Sequence, residues 1–128
     1  MALNWTINPE DRLVVAVIDG AITFAEIERY LEDVAAKGGL SYRKIIDARH
    51  GKSQMSESEL LLYAGRVKAY SQMAPLGPMA VVAGEDKSRD HAGLFRALAA
   101  NGNRPLSIFS AVEQARNWLE HVAPLEGG

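Results

Sequence analysis

Three histidines, His50, His91 and His121, are the side chains best suited to acid–base or metal chemistry, and their spacing builds neither. No His-Glu-x-x-His run places two imidazoles on one helical face. Asp90 and His91 are adjacent, so on a helix they diverge instead of facing each other as an acid and a base must. The chain has no Gly-x-Ser-x-Gly elbow, Walker loop or dinucleotide-binding glycine fingerprint. Zero cysteines exclude a thiol nucleophile, a disulfide framework and any Cys-based zinc or iron–sulfur centre. The residues point to a non-enzymatic binding domain, with no cofactor, no metal site and no catalytic group.

What chemistry remains is concentrated where strands give way to helices. Asp19 follows one apolar run, and Asp47 follows another and opens the polar stretch Ala48-Arg49-His50-Gly51-Lys52-Ser53-Gln54-Met55. Asp19, Asp47, Arg49, His50 and Lys52 form a candidate binding edge, because parallel α/β sheets collect ligands beyond their C-terminal strand ends. Arg49, His50 and Lys52 make a local basic cluster that suits an anionic ligand or an acidic partner surface. The same stretch also reads as the longest loop of the domain, with its charges turned to solvent. Ser53, Ser56 and Ser58 are candidate phosphorylation sites, since a phosphate at a helix N-terminus is favoured by the macrodipole. Ser56 reads equally well as a plain N-cap paired with Glu59.

These residues need a scaffold, and the chain supplies one. Its 128 residues, 48% hydrophobic and 23% charged, suit one soluble domain over residues 1–128 with a core at about 4–122. A formal charge of −2 argues against a nucleic-acid partner. With no basic leader and no apolar run long enough for a membrane span, a cytoplasmic location is expected. Trp5 and Ile7 alternate with polar neighbours as in a half-exposed strand. Leu13–Ile18 is a continuous apolar run that reads as a strand buried on both faces and joined to the first as an antiparallel hairpin. Lys44–Asp47, Met79–Ala83 and Leu106–Phe109 are further strands.

Helices fall between them, and three sites carry the pattern of a capping box: Thr23 with Glu26, Ser56 with Glu59, and Ser110 with Glu113. The first helix buries Phe24, Ile27, Leu31 and Val34 and stops at Gly38-Gly39. The second turns Leu60, Ala64, Val67 and Ser71 inward and is broken at Pro75-Leu76-Gly77-Pro78. The third carries His91, Leu94, Phe95 and Leu98 and ends at Asn101-Gly102-Asn103. The last presents Val112, Ala115, Leu119 and Val122, with Trp118 beside them. The predicted order is β-β-α-β-α-β-α-β-α: a single-domain α/β sandwich, mostly parallel, with an antiparallel N-terminal edge strand and helices on both faces.

This order and several stretches resemble the SpoIIAA-like family of the STAS fold, also described as STAS/SEC14-like. The resemblance spans roughly residues 4–122. It rests on Val17-Ile18-Asp19-Gly20 leading to Thr23-Phe24-Ala25-Glu26, on Arg43-Lys44-Ile45-Ile46-Asp47-Ala48-Arg49, and on Arg104-Pro105-Leu106-Ser107-Ile108-Phe109 with Glu113-Gln114-Ala115-Arg116-Asn117-Trp118-Leu119. It implies a bacterial regulatory domain similar to anti-sigma factor antagonists, which bind a partner kinase and are phosphorylated on a serine where the third strand meets the second helix. Asp47 stands at the aspartate of their Asp-Ser-Ser-Gly pattern, and here Ala48 and Arg49 follow it.

The SEC14-like description implies an alternative, a carrier of a small apolar or lipid ligand lined by Phe24, Met55, Leu62, Tyr63, Tyr70, Met73 and Met79. An unrecognised enzyme is the second alternative. The run Leu60-Leu61-Leu62-Tyr63 is apolar all round, so Leu62 or Tyr63 is expected to face a partner, including a second copy in a homodimer.

Overall fold

The computed structural model describes residues 1–99 and 103–122. The elements run β1 (Leu3–Asn8), β2 (Leu13–Ile22), α1 (Phe24–Ala36), β3 (Arg43–Ser53), α2 (Glu57–Met73), β4 (Met79–Val82), α3 (Arg89–Leu98), β5 (Leu106–Phe109) and α4 (Val112–His121). This is the order expected from the sequence. The strands form one sheet in the spatial order β1-β2-β3-β4-β5, with β1 antiparallel to β2 and every other pair parallel.

Sequential strand order has a direct consequence for the helices. Each crossover from β2 to β5 steps the same way, so connections of one hand put α1, α2 and α3 on the same face. Ile27, Leu31 and Val34 of α1, Tyr63 and Val67 of α2 and Leu94 of α3 pack there against Val14, Ala16, Ile18, Ile46, Met79 and Val81. Ala115 and Leu119 of α4 pack on the opposite face against Ile45, Ala80 and Val82. The strand residues alternate between these clusters with the two-residue period of a pleated sheet.

Two capping boxes form as read. Thr23 Oγ1 accepts from the Glu26 N–H at 3.2 Å while Glu26 Oε2 accepts from the Thr23 N–H at 2.9 Å. Glu26 is buried because its other oxygen accepts from the Leu3 N–H at 3.3 Å, which ties α1 to β1. Ser56 and Glu59 make the same reciprocal pair at 3.2 and 3.0 Å. The third box does not form. The N-cap of α4 is Ala111, without a side-chain bond, and Ser110 pairs instead with Gln114, its hydroxyl donating to Oε1 at 3.2 Å.

Three more expectations are corrected. First, β2 is buried on one face only: Val17 is 43% exposed because α4 covers β3 to β5 and stops short of it. Second, of the predicted inward stripe of α2 Val67 is buried, but Leu60, Ala64 and Ser71 are only half-buried, and the other buried side chain of the helix is Tyr63. Third, the polar stretch after Asp47 is not a loop, since β3 runs on through Ser53. The predicted stop of the third helix at Asn101-Gly102 and the tail holding Pro124, Gly127 and Gly128 lie outside the described residues. No helix among the described residues is long and apolar enough to cross a membrane.

Candidate functional site

Long-range pairing makes a strand of Ala48–Ser53. Asp19, Gly20, Ala21 and Ile22 of β2 pair in parallel with His50, Gly51, Lys52 and Ser53, after a register shift between Val17 and Asp19. β4 ends earlier, with Val82 opposite Asp47. The other edge of this extension is covered by α3 and the loop before it. His91 Nδ1 lies 2.8 Å from the Gly51 carbonyl, a contact that requires Nδ1 to carry the proton. Gly84 passes so close that a Cβ there would lie 2.6 Å from the Arg49 carbonyl oxygen. Gln54 Nε2 donates to Asp90 at 3.1 Å across the same seam. The basic segment is therefore held by a strand on one side and a helix on the other.

Its side chains divide by the pleat. Gly51 and Ser53 point into the core, and His50 and Lys52 stand exposed on the other side. Arg49 turns back on Asp47 as a two-pronged pair, Nε to Oδ1 at 2.9 Å and Nη2 to Oδ2 at 2.8 Å. That guanidinium is the main reason the Asp47 carboxyl is held below its usual range. Much of the charge of Arg49 is thus used internally. Asp19 is exposed beside His50, and its backbone N–H donates to the Ala2 carbonyl at 2.8 Å. Asp86 sits near Lys52 and His91, with its carboxyl lowered chiefly by bonds from Ser88.

The three serines occupy different settings. Ser53 is buried, and its hydroxyl accepts from the Met55 N–H at 3.3 Å. Ser56 is engaged in the α2 cap. Ser58 is exposed in the first turn of α2. The structure thus brings Asp19, Asp47, Arg49, His50 and Lys52 to one sheet end, and Ser58 to the adjoining helix start.

A feature the inward-face reading passed over lies along α2. Ser58, Leu62, Arg66, Ala69 and Met73 recur at helical spacing on the side away from Tyr63 and Val67. Leu61, Leu62 and Met73 are 74%, 55% and 70% exposed. The all-round apolar run was the available signal: Tyr63, one of its two expected partner-facing residues, faces the core, and Leu62 faces out. Of the expected cavity-lining side chains, Tyr63 and Met79 border a space of about 40 Å³. Phe24, Met55 and Tyr70 pack at the core margin. Among the described residues, no group of three or more acidic or imidazole side chains is placed to hold a metal ion.

No protein-family model matches this chain, and no curated protein is similar to it at a significant level.

Proposed function

We propose that this chain is a protein-binding regulatory module that docks a partner along the outer side of α2 and the adjoining β3–α2 junction. The observation that carries the reading is the solvent-facing trio Leu61, Leu62 and Met73, on a helix whose other side already packs against the sheet. Leu61 and Leu62 are neighbours and Met73 stands about three turns further along the same helix, and exposed large apolar side chains among polar ones are a common mark of interaction surfaces on a folded domain. The rim here is Ser58, Gln72 and Arg66, the last paired with Glu28 of α1 at 3.0 Å. The sequence resemblance to SpoIIAA-like domains supports the same region, since in their kinase-binding members the modified serine sits where the third strand meets the second helix. Ser56 and Ser58 are the exposed serines at that place, and the Ser56 hydroxyl is engaged in the cap of α2. The carrier reading is less favoured, because the apolar space that Tyr63 and Met79 border among the described residues is about 40 Å³, far below the roughly 300 Å³ of even a small ligand pocket.

A photo-crosslinking side chain placed at position 62 in living cells tests this. It is expected to yield one discrete adduct with a cellular protein, absent when the crosslinker replaces exposed Lys37 at the end of α1. No adduct, or the same adducts from both positions, refutes the reading.

A further inference from the structure

The two edges of the sheet differ in their cover. On β1, the Leu3 N–H points away from β2 and donates to the Glu26 carboxylate at 3.3 Å, and the Trp5 indole donates to Asp33 at 2.8 Å. α1 thus guards part of that edge. β5 has no such cover among the described residues. The Met79 N–H donates to the Pro105 carbonyl at 2.9 Å and the Ala83 N–H to the Phe109 carbonyl at 2.8 Å, so the odd-numbered residues of this stretch face β4. The N–H and C=O groups of Leu106 and Ile108 therefore point to the opposite side, where no described strand pairs with them.

Natural edge strands commonly carry a charge, a proline or a bulge that discourages further pairing. Leu106-Ser107-Ile108-Phe109 has none of these, and its register with β4 is unbroken. Ile108 is 56% exposed on the face that α1–α3 cover elsewhere, because α3 packs over β3 and stops short of it. A bare, uncharged edge with an exposed β-branched side chain is a template for an added strand. This edge also matches itself. In an antiparallel pair of two β5 strands with Ser107 opposite its counterpart in a second copy, Leu106 of each chain lies opposite Ile108 of the other. Each such pair exchanges both of its N–H···O=C bonds, so every outward group of Leu106 and Ile108 is satisfied. The pairing obeys a two-fold axis, keeps Leu106 and Ile108 of both copies on one face, and sets no charged strand residue against its like.

We propose that β5 is a dimerisation edge: two copies of this chain join β5 to β5, antiparallel and centred on Ser107, so that their sheets become one continuous sheet. Exposed Ile108 is covered in that assembly. The edge is independent of the docking surface on the outer side of α2.

The chain has no cysteine, so Ser107→Cys introduces a single thiol. At a non-hydrogen-bonded antiparallel position the two Cα atoms sit about 4.5 Å apart, within the span of a disulfide. Oxidation with diamide is expected to convert Ser107→Cys to a covalent dimer at least about tenfold faster than Lys37→Cys, an exposed control at the end of α1. Equal rates overturn the proposal. Light scattering of the wild type at high micromolar concentration is expected to give about twice the 13.9 kDa of one chain. Ile108→Lys, which adds the charge that natural edges carry, is expected to give the mass of one chain with an unchanged circular dichroism spectrum. A monomeric wild type, or a dimer that Ile108→Lys leaves intact, overturns the proposal.

Discussion

Gly51→Ala separates the strand seen for Ala48–Ser53 from the solvated loop that its composition suggests, because the two pictures predict opposite signs. In a loop, replacing glycine by alanine at an unstrained position stabilises by about 0.4–1 kcal/mol, by restricting the unfolded chain. In the structure, an added Cβ would lie 2.6 Å from Ile18 Cγ2 and 2.7 Å from Leu94 Cδ2. Both are side-chain atoms, so the core can yield, but Ile18 and Leu94 are themselves fully buried. Overpacking of this kind costs about 1–3 kcal/mol. Allowing for the unfolded-state gain, a net loss of about 1–2 kcal/mol is expected, or roughly 4–8 °C in midpoint for a domain of this size. Urea unfolding of the wild type, Gly51→Ala, Leu94→Ala and the double variant measures both the cost and its origin. Gly51→Ala should cost less once Leu94 is shortened, with the Ile18 contact remaining, giving a coupling energy of about 0.5 kcal/mol or more. A midpoint for Gly51→Ala equal to or above the wild type would refute the strand and its packing against α3.

Three further outcomes are expected. Ser56→Ala removes the reciprocal cap of α2 and should destabilise by about 1 kcal/mol in urea unfolding. Arg49→Ala removes the chief cause of the lowered Asp47 pKa, so the carboxyl should titrate closer to 3.8 by NMR. A lowered carboxylate pKa contributes stability above the unfolded value that is lost as pH falls through the folded one, so the variant should show a shallower loss of stability on acidification below about 3.8. For Lys44, burial first and then the Arg104 charge push the pKa down to about 7 from 10.5, against the pull of three carbonyl acceptors. Between those values the unfolded chain binds the proton that the folded chain releases, so wild-type stability should rise with pH by up to about 1.4 kcal/mol per unit. Lys44→Met should flatten that rise in denaturant unfolding followed from pH 7 to about 9.5.

The parts of the fold legible in the sequence are those fixed by local chemistry. Thr23 with Glu26 and Ser56 with Glu59 announce helix starts because cap and helix lie within one turn. The apolar runs at Leu13–Ile18 and Met79–Val82 announce strands for the same reason. The extension of β3 was not legible, because Arg49-His50-Gly51-Lys52 has a loop's composition. It becomes a strand only through pairing with the equally unpromising Asp19-Gly20-Ala21-Ile22 and through the cover of His91 and Gly84. Val17 was misplaced because the reach of α4 across the sheet is a tertiary fact. Ser110 had the spacing of a cap but bonds Gln114 instead. Nothing in the sequence marks Lys44 and Arg104 as buried, and only the folded chain reveals the carbonyl cage around one and the cavity beside the other. Of the candidate edge, the nearness of Asp19, Asp47, Arg49, His50 and Lys52 followed from strand order alone. That Arg49 is bound to Asp47, and that Leu62 faces out while Tyr63 faces in, did not.

The docking surface on α2 is tested most directly by the dissociation constant of the partner that the position-62 crosslinker captures, measured for the wild type and for Leu62→Glu beside their unfolding midpoints. The account predicts binding weakened by at least about 30-fold, the effect of losing a contact worth about 2 kcal/mol at an interface centre, with a midpoint close to the wild type because the side chain faces solvent in the free protein. Unchanged affinity in Leu62→Glu would contradict it.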